Sequence, residues 1–593
     1  MSNVRLFVKD VLWAIELGKR QVNKLLLLPR KSVPSSTPDR LSEISVEKDV
    51  PVPMRDGVRL YADVYKPRTR GRFPVILIRL PYGKGEFFCW MPAIGEFWAK
   101  RGYACVVQDV RGKWRSEGEW DPFVNEANDG YDTLDWVATQ PWCDGSVGMM
   151  GESYYGYTTW AAALTGHPSL KCIAPCTTAM DIYGVWVYDG AFCLQTMGSW
   201  PITMNAKEYR NKLRLDYRHL PLATMDDEAE IPCDYYKEWL RHPTRDSYWE
   251  RINLSHKYAQ VKIPVLHMGG WCDLFVSAAI DDWGGVRANS DDAQARENQW
   301  LLIGPWDHTF TTNYTHRIGQ LDIGDASTTT YWDDCQAYFD YWLMGIDNGF
   351  DSTARVKVFT IGDNEWHSRS EWPPAGTTYR DFYFHSGGNA HLAKGDGSLG
   401  STAPTSAEPV DSYIYDPRDP VALTMNEDLW ARAKYLQDRA LLSDRPDVLV
   451  YDTAPLDAGM EITGPISVTL HAASSARDTD FTAALVDVFP NGYAHLVQEG
   501  IIRASFRESD RERSFIEPGR IYAYAIDLRA ASYVIKMGHR IRVEISSSNF
   551  NRYDRNPNTG NTFGMDAHVN SAEQTIYHNA EYPSRITLPI MPR

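Results

Sequence analysis

The chain has 593 residues, 43% of them apolar and 23% charged, an ordinary balance for a folded soluble protein but too much chain for one hydrophobic core. A net charge of −16 argues against nucleic acid or an anionic membrane as the main partner. The nine cysteines all lie between Cys89 and Cys335 in irregular spacing, which argues against a disulfide framework and against a Cys/His metal site. They read as reduced thiols of a cytoplasmic protein.

Residues 1–45 form an extension. Lys9, Asp10 and Glu16 interrupt any signal-peptide core. Val4, Val8, Val11, Leu12 and Ile15 instead fall at helical spacing, and Leu25 to Leu28 then run to Pro29. Lys19, Arg20, Lys24, Arg30 and Lys31 make the stretch basic. It reads as a helix docked on the protein's own surface or on a partner subunit, as in a homodimer, or else as a peripheral membrane helix. No apolar run is long enough to span a bilayer. The Ser/Pro-rich stretch 32–45 reads as a linker.

Strands then alternate with helices over 46–180 and again over 257–355. VPMRDGVRLYADVYKP predicts a hairpin turning at Asp56-Gly57. RFPVILIRLPYG and YACVVQDVRG are continuous apolar runs of the kind buried on both faces, with a helix around IGEFWAKRGY between them. EANDGYDTLDWVATQP reads as a helix stopped by Pro141. Val147 to Met150 form a strand and Tyr157 to Thr165 a helix. KCIAPCTTA, IPVLHMGG and QWLLIGPW supply three more strands. The alternation predicts an α/β fold with a mostly parallel sheet and helices on both faces. Residues 181–256, rich in Trp, Tyr and Met, break the rhythm and read as a helical cap. From 356 to 593 short alternating runs, beginning with ARVKVFTIG, predict an antiparallel β-sandwich or jelly roll.

A serine hydroxyl attacks a carbonyl only when a base removes its proton and a carboxylate holds that base. Gly151-Glu152-Ser153-Tyr154-Tyr155-Gly156 sits between a strand and a helix, the setting of a nucleophile elbow, although its second glycine comes one residue late for G-x-S-x-G. Asp273 ends one later strand-and-turn and His308 ends the next, in the order required of acid and base. Taken singly, Asp273 is equally a helix N-cap and His308 a loop histidine; their joint order favours a triad. Asp307, adjacent to His308, is the rival acid, and His267 within its strand reads as structural. The backbone N–H of Tyr154 can serve the oxyanion, and the Tyr82 phenol in RLPYGKG is either the second donor or a packing ring. No residue set calls for a metal or a cofactor.

These stretches resemble one family, the cocaine-esterase-like serine hydrolases related to X-Pro dipeptidyl peptidases and α-amino-acid ester hydrolases. The matches are R-x-P-Y at Arg79 to Tyr82, QDVRGKWRSEGEW at 108–120, G-x-S-Y-x-G at 151–156, GGWCD at 269–273 and GPWDH at 304–308, with SSARDTDFTAALVDVFPNG and GHRIRVEISSSNF downstream. The resemblance implies an α/β-hydrolase core with a C-terminal jelly roll. It also implies Ser153, Asp273 and His308 as triad, and Tyr82 with Tyr154 as oxyanion hole. In the amino-acid ester branch extra carboxylates follow the triad acid to hold a substrate ammonium. Here those positions are Leu274, Phe275 and Val276, and Val185 stands where the cap would supply another, with Asp189 close by. A desolvated ammonium without a carboxylate is costly, so selection of a free α-amine, and X-Pro peptidase activity with it, is not expected. The expected partner is a small-molecule ester or amide with an apolar or aromatic acyl group. Trp160, Trp186, Trp271 and Phe275 are the candidate lining residues. Acyl transfer through the same triad and a non-catalytic ligand-binding role are the competing readings.

Overall fold

A computed structural model describes residues 35–86, 89–208, 215–311, 316–327, 331–391, 395–422, 429–442 and 444–593. The helix expected at Val4 to Ile15 and the Leu25 to Leu28 run lie outside them. Two large sheets dominate.

The first sheet has ten strands: β1 (Ile44–Pro53), β2 (Arg59–Pro67), β3 (Phe73–Leu80), β4 (Ala104–Asp109), β5 (Cys143–Glu152), β6 (Leu170–Cys176), β7 (Val265–Gly270), β8 (Gln299–Gly304), β9 (Val356–Thr360) and β10 (Glu365–Arg369), in spatial order β1-β2-β4-β3-β5-β6-β7-β8-β9-β10. β1 and β2 are the predicted antiparallel hairpin, with Gly57 at φ +85° in its turn. From β4 to β9 all neighbours run parallel. Central strands such as β3 and β4 are buried almost throughout, which is why they read as unbroken apolar runs. Helices α1 (Met91–Lys100), α2 (Glu126–Ala138), α3 (Tyr154–Ala163), α4 (Val276–Asn289) and α5 (Tyr331–Met344) pack on this sheet. The 181–256 stretch contributes short helices, among them Ser199–Met204 and Asp234–Arg241.

The second sheet has eleven strands between Thr378 and Met591, antiparallel except where Ser398 pairs with Asp452. Its spine is the pairing of Met460–Ser474 with Tyr522–Ile535. The run ARVKVFTIG, expected here, is instead β9 of the first sheet: Val356 to Val358 pair in parallel with Leu301 to Ile303. Alternation within five residues does not say which sheet a strand joins; the apolar floor beside β8 decides it. Of the stretch read as a linker, the described residues before β1 are docked on α5, where Ser35 and Ser36 bond Asp333 and Arg40 pairs with Asp340 at 2.5 Å. Among the described residues no helix is long and apolar enough to cross a membrane.

Candidate active site

Ser153 joins β5 to α3 with φ +57° and ψ −126°, a conformation that costs about 1–3 kcal/mol and persists only where its surroundings over-determine it. They do. The Ser153 N–H donates to the Cys176 carbonyl at 3.0 Å, and the Ser153 carbonyl accepts from the N–H groups of Gly156 and Tyr157 at 3.0 and 3.1 Å. α3 doubles back so tightly that a Cβ on Gly151 would lie 2.0 Å from the Tyr155 carbonyl oxygen. One on Gly156 would lie 2.7 Å from the Thr178 side chain. The second glycine therefore belongs at 156, where α3 meets the segment after β6, and position 155 is free to carry a ring. That Tyr155 ring packs edge-on against Tyr82, centroids 6.2 Å apart.

Asp273 and His308 leave the ends of the adjacent strands β7 and β8. His308 Nδ1 and Asp273 Oδ2 are 2.7 Å apart, while Asp273 Oδ1 accepts the Phe275 N–H at 2.6 Å. Both side chains are buried. With Nδ1–H held by the carboxylate, Nε2 is the nitrogen that can take a proton. Burial works against the imidazolium, but the charge and hydrogen bond of Asp273 outweigh it and hold the His308 pKa above its ordinary value. The ring lies between Phe275, stacked at 5.3 Å, and Trp430 at 4.7 Å. Asp307 faces elsewhere: its Oδ1 accepts from the Thr309 N–H and hydroxyl and its Oδ2 from the Ala433 N–H. His267 bonds Gln299 at 2.8 Å, and burial pushes its pKa down to about 4, a structural histidine.

Ser153 opens into a cavity whose wall is mostly aromatic: Tyr82, Phe123, Trp186, Trp200 and Phe275, with Trp430 at one side. Tyr154, the first residue of α3, has an N–H with no acceptor inside its own helix, as every helix start does. Tyr82 is buried, and its hydroxyl oxygen accepts the Trp200 indole N–H at 3.1 Å. Arg79, near the end of β3, is a strut: it pairs with Glu126 at 3.0 Å, and Glu126 accepts the Tyr154 hydroxyl at 2.7 Å.

Of the four aromatics anticipated as lining, Trp186 and Phe275 face this cavity. Trp160 and Trp271 do not. Trp160 points from α3 into the packed interior against His267, and Trp271 turns to the far side of its loop, where its indole donates to the Phe359 carbonyl at 2.7 Å. Phe123, Met197, Trp200 and Trp430 were missed. In a chain with 21 tryptophans composition cannot single them out, and only packing does. No group of three or more His, Cys, Asp or Glu among the described residues is arranged to hold a metal ion.

Residues 56–310 match the X-Pro dipeptidyl-peptidase (S15) family, and residues 348–587 match the X-Pro dipeptidyl-peptidase C-terminal non-catalytic domain. The chain is 37% identical over 579 residues to the cocaine esterase of Rhodococcus sp. (strain MB1 Bresler), covering 93% of this chain and 99% of that one. Among solved structures it superposes on an aminopeptidase from a marine sediment archaeon, Thaumarchaeota archaeon, with a TM-score of 0.83 and 26% identity over 95% of this chain and 99% of that one. An α-amino acid ester hydrolase gives a TM-score of 0.82 at 26% identity with the same coverage.

Proposed function

The chain belongs to the cocaine-esterase-like serine hydrolases, enzymes of ester and amide bonds, and from that premise we propose that Ser153, His308 and Asp273 are its triad and that it prefers an apolar or aromatic acyl group. The observation that carries the reading is the 2.7 Å His308–Asp273 bond beside a strained serine turn at the foot of an aromatic cavity.

In acylation the Ser153 oxygen bonds to the acyl carbon as its proton passes to His308 Nε2, and the charge on the former carbonyl oxygen is met by the Tyr154 N–H and the Tyr82 hydroxyl. The intermediate collapses when His308 returns that proton to the departing alcohol or amine. In deacylation a water molecule repeats the sequence, giving up its proton to His308 and releasing the acid.

Substrate preference follows from the wall. Tyr82, Phe123, Trp186, Trp200 and Phe275 offer faces and edges to a planar acyl group. Leu274, Phe275 and Val276 follow Asp273 without a carboxylate for an ammonium, which disfavours a free α-amine and X-Pro cleavage. The same apolar wall also favours, as a second reading, transfer of the acyl group to an acceptor alcohol that displaces water. Nine unpaired cysteines fit a reducing, cytoplasmic compartment.

The test is a panel of aryl and alkyl esters and amides, with and without acceptor alcohols, on the wild type and Ser153→Ala. Aryl-acyl esters are expected to turn over fastest, and a fluorophosphonate probe to label the wild type alone. Undiminished turnover by Ser153→Ala would overturn the nucleophile assignment. Faster cleavage of substrates with a free α-amine would overturn the specificity.

A further inference from the structure

The steps above give no task to Glu152, the residue immediately before the nucleophile. Its Oε2 accepts the hydroxyl proton of Thr311, three residues beyond His308. The Tyr155 side chain on the first turn of α3 lies close to the same carboxylate, and the Tyr155 ring in turn braces Tyr82. One side chain thus ties the nucleophile turn, the histidine loop and the wall that carries Tyr82.

A carboxylate is a costly way to fill that space, since an amide could accept the same hydrogen bonds without the price of desolvating a charge. What faces it explains the charge. The titratable groups around Glu152 are His308 and Asp273 from their loops, Tyr155 from α3, Cys89 from the segment before α1, Cys176 from β6 and Tyr331 from α5. Of these only His308 becomes a cation, and it does so in the reaction. The charges acting on His308 itself are those of Asp273, Glu152 and, least of the three, Asp307.

We propose that Glu152 is a positioning residue for His308: its bond to Thr311 pins the histidine loop against the nucleophile turn, and its charge favours the imidazolium that forms when His308 takes the Ser153 proton. Glu152 neither gives nor takes that proton. The inference rests on the triad reading above. Burial pushes the Glu152 carboxyl up to about 7, so the anion is half present at that pH and grows as the pH rises.

Three variants test it beside His308→Ala. Glu152→Gln keeps the shape and an acceptor oxygen and removes the charge; Thr311→Val removes the bond and Thr311→Ser keeps the hydroxyl. Glu152→Gln is expected to lower kcat about tenfold with KM within about twofold. Its acid limb in kcat/KM should move to lower pH by roughly half a unit or more, because His308 loses a neighbouring negative charge. Thr311→Val should lose part of kcat and Thr311→Ser should restore it. An inactive His308→Ala with a Glu152→Gln enzyme of wild-type kcat and an unmoved acid limb overturns the role of Glu152 alone, even if its melting point falls. An active His308→Ala overturns the triad beneath it. Should Glu152→Gln not fold, the rate of fluorophosphonate labelling in Thr311→Val decides, and an unchanged rate overturns the proposal.

Discussion

Tyr82→Phe removes one oxygen from a buried ring and separates the bond that oxygen makes to Trp200 from the oxyanion role proposed for it. The ring is 7% exposed and braced edge-on by Tyr155, so the phenylalanine keeps its packing. What disappears is an acceptor for the Trp200 indole, 3.1 Å away, and the proton that the phenol would offer an oxyanion. Stranding a buried indole N–H costs about 1–3 kcal/mol of stability. Losing an oxyanion donor costs about 10²–10³ in kcat, or ~2.7–4 kcal/mol in the transition state. Trp200→Phe splits the two: it removes the donor to Tyr82 without stranding anything, and leaves the phenol proton present but less well aimed. The assay is kcat and KM on an aryl ester for both single variants and the double variant, beside melting curves. Tyr82→Phe should lose about a hundredfold or more in kcat with a smaller change in KM. Trp200→Phe should lose less, and the double variant should be no worse in kcat than Tyr82→Phe, because Trp200 acts on the rate through Tyr82. A Tyr82→Phe enzyme with near wild-type kcat and a lowered melting point would make Tyr82 a packing ring and leave the second oxyanion donor to be found.

Asp273→Asn should cost about 10⁴ in kcat, since an amide facing His308 Nδ1 favours the wrong tautomer. Asp307→Asn should cost far less, because its oxygens serve Thr309 and Ala433; exchanged behaviour of the two variants would reverse the acid assignment. The pH profile follows from His308: burial lowers its pKa, the charge and hydrogen bond of Asp273 together with the charges of Glu152 and Asp307 more than restore it, and the neutral ring is the active form. The kcat/KM profile should therefore fall with acid through a midpoint above 6.5, and a midpoint below 6.5 would contradict the pairing.

The parts of this molecule that a sequence exposes are those fixed by neighbouring residues. β3, β4 and the strand ahead of Ser153 are local apolar runs, and the order of strand ends already lined up Ser153, Asp273 and His308. The parts that escaped are set by which way an element rolls. Trp186 and Trp160 lie in equally aromatic stretches, yet the short helix Tyr183–Trp186 turns one toward Ser153 and α3 turns the other into the interior. Trp271 stands two residues before Asp273 and faces away, its indole bonded to the Phe359 carbonyl. Trp200 and Trp430 come from segments without a readable motif, so their approach to Tyr82 and His308 is legible only after folding.

Both halves of the chain grip the loop that carries Asp273. On one side the Trp271 indole reaches β9 of the first sheet. On the other, the Gln498 amide from the second sheet donates to the Trp271 carbonyl at 3.1 Å and to the Ala530 carbonyl at 2.8 Å, and Arg529 donates to the Leu274 carbonyl at 3.3 Å. The residues flanking the acid are thus held by strands more than two hundred positions away. Trp430 and Ala433, also downstream, cover the His308 ring and bond Asp307. A region matching a domain described as non-catalytic therefore supplies none of the three proposed triad residues and still holds groups beside two of them. A 1 Å displacement of such a pair is enough to cost about 10² in rate. The physical reason for fusing a β-rich domain to a hydrolase core is on this reading local: it is the far wall of the acid and histidine loops, and its Gln498 and Arg529 donate to the carbonyls of Trp271 and Leu274 on either side of Asp273.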